Sequence, residues 1–233
     1  MNVPEAATPN PEQPTAGEDR EPETRILLVR HGETEWNAAN RVQGQLNPGL
    51  SETGRGQAER LVRRLAREPI TAIYSSTLAR AQETAAPVAH ASNLPVRGAP
   101  GFQEAGFGEW EGLTTAEIRA RYPLQYEDWR RDAIRHRPPG GETIESLLAR
   151  SMAEMQRVLA AHVGETVLVV AHGGTIRCLV VGLLELTLAV YSRLRVENAS
   201  ITSISVRGAI TVLVSFNDTT AFEETRSCAN TPA

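Results

Sequence analysis

Two histidines in this chain each follow a short apolar run and precede a glycine. His31 comes after ILLV at 26–29 and its neighbour Arg30, and His172 comes after TVLVVA at 166–171. Neither run alternates with polar residues, which is typical of a strand buried on both faces of a sheet. A glycine after each histidine allows backbone N–H groups to approach a ligand closely. One His-Gly pair is weak evidence, but two at strand ends indicate a site.

Two arginines accompany these histidines. Arg30 precedes His31, and Arg80 lies a few residues after a third run, ITAIYSS at 70–76. In an open α/β sheet, ligands bind beyond the carboxyl ends of the strands. Guanidinium groups bind the oxygens of a phosphoryl group, and an unprotonated imidazole nitrogen can attack its phosphorus. The pattern therefore predicts a phosphate site, and this chemistry requires no metal.

Apolar periodicity predicts strands and helices that alternate along most of the chain. Amphipathic helices are expected after Ser51 and Thr53, over 77–91 with a bend or break at Pro87, and over 141–163. SITSISVR and AITVLVSF near the C-terminus pair as a hairpin about Gly208. We therefore predict an α/β fold, a three-layer α/β/α sandwich with a mainly parallel central sheet and a small cap insertion.

The cap insertion spans about 106–141. It is rich in arginine and aromatic residues and closes on a Pro-Pro-Gly-Gly turn. Such a surface could bind nucleic acid, but its acidic residues and the nearly neutral charge outside the N-terminal tail favour a salt-bridged amphipathic helix. His136, which lies among arginines in this segment, is expected in a solvated loop, with contact to an anionic substrate as the alternative. His90 and His162 are expected at the surface or at helix ends.

Composition restricts the class of protein. The chain has 233 residues, 41% of them hydrophobic, enough for one domain or at most two. Its 24 basic residues other than histidine are all arginine, so chemistry that needs a lysine amine is excluded. Arginine suits anion binding, although codon bias explains the same composition. No apolar stretch is long enough to span a membrane, and no export signal is visible, so we expect a cytoplasmic protein.

The two ends of the chain differ from its centre. Residues 1–24 are proline-rich and hold six acidic residues against one arginine, which predicts a disordered acidic tail. The folded domain is predicted over 25–217, followed by a C-terminal tail over 218–233. The two cysteines show no metal-ligand spacing, and Cys178 is expected to pack in the core.

Six motifs in order resemble those of the histidine phosphatase superfamily, in its phosphoglycerate-mutase-like branch. They are RHGETEWN, QGQLNPGLSETGRGQA, SSTLARAQETA, EAGFGEWEG, PGGE and VAHGGTIR, within 26 to about 217. The resemblance implies a covalent phosphohistidine mechanism with His31 as nucleophile. The catalytic residues that it implies are His31, Glu104, His172, Arg30 and Arg80. The phosphate-binding residues that it implies are Arg30, Asn37, Gln43, Gly44, Arg80, His172 and Gly173.

Family position alone selects Glu104 as the proton donor, because Glu109 and Glu111 lie close by and could replace it. That role requires Glu104 to be protonated when the reaction begins. The PPGGE turn at 138–142 and the length of the insertion resemble the smaller phosphatases rather than the cofactor-dependent mutases. The resemblance thus favours a phosphatase for small phosphomonoesters, of the phosphorylated sugar or glycerate type.

Two other functions stay open at this point. One is a cofactor-dependent phosphoglycerate mutase, and the other is a low-turnover module that binds phosphate ligands. We expect no metal, no cofactor, no nucleic acid and no membrane partner. The expected partner is a small phosphorylated metabolite, and an oligomer is compatible with the sequence.

Overall fold

The structure is a computed structural model, and it describes residues 21–220. In this range the strands are β1 Thr24–Arg30, β2 Ile70–Ser75, β3 Val96–Gly98, β4 Thr166–Ala171, β5 Ile201–Arg207 and β6 Ile210–Asp218. The helices are α1 Glu35–Ala38, α2 Glu52–Leu65, α3 Ala79–Ser92, α4 Thr115–Arg121, α5 Pro123–Arg131, α6 Ile144–Ala161 and α7 Gly173–Leu183. Short 3-10 turns cover Pro100–Phe102, Gly108–Trp110 and Leu188–Arg193.

The described strands form one six-stranded sheet in the order β3-β2-β4-β1-β5-β6. β3, β2, β4 and β1 run parallel to one another, whereas β5 and β6 are antiparallel to their neighbours. This mixed, mainly parallel sheet confirms the predicted α/β fold class. β2, β4 and β1 are adjacent, so their carboxyl ends lie side by side.

Alternate residues of β1 enter two different cores. Ile26 and Leu28 pack with residues of α6 and α7 on one face of the sheet. Leu27 and Val29 pack with residues of α2 and α3 on the other face. A strand covered on both faces needs apolar residues at every position, which explains the uninterrupted run in the sequence.

The helices begin largely where capping residues predict. The Ser51 hydroxyl accepts a hydrogen bond from the amide of Gly54 at the start of α2, and Thr143 caps α6 through Ser146 in the same way. Of the bend or break predicted at Pro87, the break is wrong, because α3 continues through this residue to Ser92. Buried side chains on both sides of Pro87, such as Ala85 and Val88, pack against the sheet and keep the helix intact.

The predicted C-terminal hairpin is confirmed. β5 and β6 pair antiparallel, with Arg207 opposite Ile210 and Gly208 in the turn between them. Gly208 has a φ of +55°, a left-handed conformation that glycine adopts without steric cost. β1 begins at Thr24, one residue inside the predicted tail, and β6 extends to Asp218, one residue beyond the predicted domain. Thr24 is buried in the structure, which explains the first difference. Apart from 21–24 and 218–220, the predicted tails lie outside the described residues.

The cap insertion contains two short helices rather than one. α4 ends at Arg121, and α5 starts at Pro123, which is favourable at the first position of a helix. α5 carries ion pairs between residues three apart on its exposed face, as the salt-bridged alternative predicts. Its other face packs Tyr126 and Trp129 against the buried Trp110. These aromatic contacts hold the two ends of the cap insertion together.

The remaining histidines do not follow a strand, and Cys178 lies in α7. His90 and His136 are exposed. His162 terminates α6, as expected, but it is buried and contacts both the Tyr74 hydroxyl and the Glu165 carboxylate. Cys178 is fully buried, as expected for a core residue.

The two-faced core generates a stability prediction. Leu168 in β4 is fully buried, and Leu124 in α5 is 77% exposed. We expect Leu168→Ala to lower the free energy of unfolding by about 2–5 kcal/mol, since it leaves a cavity beside the sheet. Leu124→Ala makes the same chemical change at the surface and should stay within about 0.5 kcal/mol of the wild type. Denaturant unfolding of both variants tests this, and equal losses would contradict the assignment of Leu168 to the core.

Candidate active site

The carboxyl ends of β1, β4 and β2 bring the predicted histidines together. His31 follows β1, His172 follows β4, and their ring centroids are 5.1 Å apart. Both residues are almost completely buried, at 3% and 0% exposure. Ser76 follows β2 and completes the row. The strand order, rather than sequence proximity, creates this cluster.

One backbone contact fixes the tautomer of His31. Its Nδ1 lies 2.7 Å from the carbonyl oxygen of Gly32, which only accepts hydrogen bonds. Nδ1 therefore carries the proton, and the lone pair is on Nε2. The surrounding backbone is held as well, because the Asn198 side-chain amide donates to the carbonyl oxygens of His31 and Gly32. His31 thus presents a fixed, unprotonated nitrogen.

His172 is oriented by Ser76. The Nε2 of His172 is 2.8 Å from the Ser76 hydroxyl, which also accepts a hydrogen bond from the amide of Leu78. In the tautomer in which the Ser76 hydroxyl donates its proton to Nε2 of His172, the ring proton is on Nδ1. This Nδ1 is buried and has no partner in the part of the chain that the structure describes. It is a donor available to an anion.

Two arginines supply further donors beside the histidines. Arg30 donates to the carbonyl oxygen of Val196 at 2.7 Å. Arg80, which is 1% exposed, donates to the carbonyl oxygens of Leu46 and Gly44, both at 2.8 Å. Within residues 21–220, the buried Nε atoms of both arginines lack a hydrogen-bond partner. Such unsatisfied charged donors are costly unless a ligand pairs with them.

Glu104 lies next to these cations. Its carboxylate accepts hydrogen bonds from the amides of Ala105 at 2.9 Å and Gly174 at 3.1 Å. Burial lowers the pKa of both Arg30 and Arg80, and the negative charge of Glu104 opposes this shift, so the carboxylate is within electrostatic reach of both guanidinium groups.

The other two candidate acids are engaged elsewhere. Glu111 accepts hydrogen bonds from the amides of Gln45 and Phe107 at 2.9 Å, and Glu109 accepts one from the Tyr122 hydroxyl. Neither residue lines the cavity in front of the arginines, whereas Glu104 does. The geometry therefore favours Glu104 over both alternatives.

The remaining predicted residues surround this cluster. Asn37 uses its side-chain oxygen to cap α1 and to accept from Asn198, so a ligand contact would use its Nδ2 group. Gln43 is buried, and Gly44 positions Arg80 through its carbonyl oxygen. Gly173 is the first residue of α7, where backbone N–H groups have no helical partner. A Cβ on Gly173 would lie 3.6 Å from Nε of Arg30, so Arg30 and Gly173 are neighbours.

Burial and neighbouring charge control the protonation of the histidines. Burial, followed by the charges of Arg30 and Arg80, holds the pKa of His31 well below its usual range. The pKa of His172 is lowered for the same reasons, with burial the largest cause. Burial also lowers the pKa of Arg80 to about 10, with Glu104 opposing the change, so Arg80 stays charged at neutral pH. The site therefore combines neutral imidazoles with cationic guanidinium groups.

An open cavity of about 350 Å³ lies in front of Arg30 and Glu104. Its other walls include Arg177 and Tyr191, and the cap residues Phe107 and Trp129 close one side. Arg177, Tyr191, Ser76 and Asn198 are not among the site residues predicted from the sequence. Position at the end of β2 could have indicated Ser76, and spacing of one helical turn from Gly173 could have indicated Arg177. No local signal marks Tyr191 or Asn198.

Residues 21–220 hold neither a metal-binding cluster nor a membrane-spanning helix. They contain no group of three or more histidine, cysteine, aspartate or glutamate side chains arranged to hold a metal ion. No helix among them is long and apolar enough to cross a membrane.

Comparisons with known proteins give the class of this protein. The model of the histidine phosphatase superfamily (branch 1) matches residues 26–219. The chain is 34% identical over 195 residues to phosphoserine phosphatase 1 of Hydrogenobacter thermophilus, covering 84% of this chain and 92% of that protein. It is 37% identical over 190 residues to glucosyl-3-phosphoglycerate phosphatase of Mycobacterium tuberculosis, covering 78% and 85%. Some longer mycobacterial relatives also match, and the chain spans 54% of their length.

A solved structure shares the fold. Bacillus stearothermophilus YhfR superimposes with a TM-score of 0.81 at 33% identity, covering 85% of this chain and 98% of that one. The fold, the matched family and these relatives define a phosphatase. The chain belongs to the histidine phosphatase superfamily, branch 1, which confirms the resemblance seen in its motifs.

The lowered pKa of His31 generates a pH prediction. Above pH 6.5, the ordinary value for histidine, His31 is neutral in both folded and unfolded chains and contributes no pH dependence. Below pH 6.5, the unfolded chain binds a proton at His31 that the folded chain does not. The free energy of unfolding therefore decreases as the pH is lowered. As the pH is lowered, we expect the free energy of unfolding of His31→Asn to decrease by up to about 1.4 kcal/mol less per pH unit than that of the wild type. Denaturant unfolding at pH 7.5 and 5.5 tests this.

A matched control is His90→Asn, since His90 is exposed on α3. This variant should follow the wild-type pH dependence. An unchanged pH dependence in His31→Asn would contradict the assignment of a neutral, buried imidazole.

Proposed function

We propose that this protein hydrolyses small phosphomonoesters through a covalent phosphohistidine on His31. The observation that carries the proposal is a neutral imidazole whose Nδ1–H is bound to Gly32, beside unsatisfied donors on Arg30, Arg80 and His172. A phosphoryl group satisfies these donors with its oxygens, while the free Nε2 of His31 faces the phosphorus. Hydrogen-bond donors that lack partners and surround a nucleophile are suited to phosphoryl transfer.

The first step transfers the phosphoryl group to His31. The Nε2 lone pair forms a bond to phosphorus as the bond from phosphorus to the ester oxygen breaks. Glu104, protonated at this stage, gives its proton to the leaving oxygen, so the alcohol departs neutral. Arg30, Arg80 and the Nδ1–H of His172 bind the phosphoryl oxygens and stabilise the charge that they carry in the transition state.

The second step releases phosphate. Glu104, now ionised, accepts a proton from a water molecule as the water oxygen bonds to phosphorus and the bond to Nε2 breaks. The products are inorganic phosphate and neutral His31, and Glu104 is again protonated. The guanidinium groups supply the positive charge that a metal ion supplies in other phosphatases, so we propose that the reaction is independent of metal.

The cavity supports a substrate with a second anionic group. At about 350 Å³ it suits a small metabolite. Arg177 lines it, with a buried Nε that has no partner within the described range and a guanidinium 5.5 Å from the centre of the Tyr191 ring. Guanidinium pairs well with carboxylate, so Arg177 suits the carboxylate of a phosphorylated glycerate.

The two relatives support the same substrate chemistry. Phosphoserine and glucosyl-3-phosphoglycerate, the substrates that their names give, each combine a phosphate with a carboxylate. We therefore favour glycerate-type esters over simple sugar phosphates.

The first prediction from this mechanism concerns His31. The wild type should release phosphate from 3-phosphoglycerate, His31→Ala should fall to background, and a rapidly quenched wild-type reaction should contain phosphorylated His31 by mass spectrometry. A chelator should leave the wild-type rate unchanged.

His90→Ala is the matched control, since His90 is exposed on α3 and does not line the cavity, and it should retain activity. Full activity of His31→Ala would overturn the mechanism. Isomerisation to 2-phosphoglycerate in place of phosphate release would identify a mutase, and absence of both activities would favour a binding module.

The second prediction concerns the substrate. Arg177→Gln should raise KM for 3-phosphoglycerate about 10- to 100-fold, as expected for the loss of a charged hydrogen bond. KM for glycerol 3-phosphate, which lacks the carboxylate, should change much less. Arg131→Gln, at an exposed residue of the cap outside the cavity, serves as control. Equal changes for both substrates would contradict a carboxylate contact.

A further inference from the structure

We propose that Arg150 and Glu142 are positioning residues that hold Glu104 in place for proton transfer. Neither side chain lines the cavity in front of Arg30, so neither is placed to touch the substrate there. Both instead contact the backbone of the loop 101–106 that carries Glu104. This inference rests on the proposed role of Glu104 as the proton donor.

Every N–H of the Arg150 guanidinium donates a hydrogen bond either to the loop 101–106 or to Glu142. One terminal nitrogen donates to the carbonyl oxygens of Gly101 at 3.0 Å and Gln103 at 2.8 Å. The other donates to the carbonyl oxygen of Glu104 at 2.9 Å and to Glu142 at 2.9 Å, and Nε donates to Glu142 at 2.8 Å. The planar fork of arginine satisfies five bonds at fixed angles, which lysine cannot do.

Glu142 holds the loop on the other side of Glu104. Its amide donates to the carbonyl oxygen of Gly106 at 2.7 Å, and its carboxylate accepts from the amide of Gly106 at 3.3 Å. The same carboxylate receives the two hydrogen bonds from Arg150. The backbone is therefore tied to one ion pair both before and after the proposed acid. Gln45 adds one further contact, to the carbonyl oxygen of Glu104 at 3.2 Å.

The ion pair also relates Glu104 to the histidines. Arg150 lies on α6, which packs against α7, and α7 begins directly after His172. The amide of Gly174 in α7 in turn binds the Glu104 carboxylate. The Arg150 and Glu142 side chains are only 26% and 18% exposed, so solvent screens their pairing poorly. A displacement of about 1 Å at an acid costs much of its contribution to the rate.

Two substrates with different leaving groups distinguish a positioning role of Arg150 and Glu142 from a general effect on protein stability. An alkyl phosphate such as 3-phosphoglycerate needs a proton on its departing oxygen, whereas p-nitrophenyl phosphate releases a stable anion without one. We expect Arg150→Lys and Glu142→Gln to lower kcat/KM for 3-phosphoglycerate about 10- to 100-fold. For p-nitrophenyl phosphate, the same variants should stay within about 3-fold of the wild type, since the phosphate pocket is intact.

Two reference variants complete the experiment. Glu104→Gln should show the same selectivity for the leaving group, with a larger loss. Arg157→Lys is the matched control, because Arg157 also lies on α6 and also pairs with a glutamate, Glu154, but is 68% exposed. It should behave as the wild type with both substrates.

Each outcome has a distinct meaning. Equal losses for both substrates, or no loss for either, would overturn the positioning role of Arg150 and Glu142. If Arg150→Lys fails to fold, the nearly isosteric Glu142→Gln decides alone. Failure of the proposed function would show differently, because Glu104→Gln itself would then show no selectivity for the leaving group.

Discussion

The site depends on keeping a neutral imidazole buried among positive charges. His31 and His172 lie at one edge of the sheet with Arg30 and Arg80, where water is largely excluded. Protonation of either ring would place a third cation in a space that already holds two, and burial makes that cost larger. Both histidines therefore stay neutral, and the hydrogen bond from His31 Nδ1 to Gly32 decides which nitrogen can react.

The same constraint explains why the side chains around the site are held by hydrogen bonds to the surrounding protein. Arg80 is held by two carbonyl oxygens, Arg30 by one, and His172 by Ser76. Each of these groups retains a donor that the described protein does not satisfy. Leaving charged donors unpaired costs stability, and the packed sheet and helices offset that cost. The arrangement favours an anion that brings several oxygens at once, which is the property of a phosphoryl group.

The cap supplies part of the cavity wall. Its aromatic residues pack around Trp110, while Phe107 and Trp129 face the cavity. Arg177 reaches the same cavity from α7, within electrostatic reach of Arg30. Two guanidinium groups, Arg30 and Arg177, in a cavity with aromatic walls suit a short molecule that carries two anionic groups. Specificity and chemistry thus come from different elements, which allows one to vary without the other.

The sequence by itself determined much of the fold and the identity of the central residues. Strands buried on both faces need uninterrupted apolar runs, and ligands bind where such strands end, so the positions of His31 and His172 could be read locally. A capping residue located the start of α2, apolar periodicity indicated α6, and the ordered motifs indicated the superfamily. Local pattern was misleading at Pro87, where packing of α3 against the sheet outweighs the lost backbone hydrogen bond.

Tertiary structure alone decided what these residues can do together. The order β2-β4-β1 places the two histidines 5.1 Å apart, although 141 positions separate them in the chain. The tautomer of His31, the contact of Ser76 with His172 and the five hydrogen bonds of Arg150 all depend on long-range approach. Periodicity and propensity describe neighbours along the chain, whereas protonation and hydrogen bonding are set by neighbours in space.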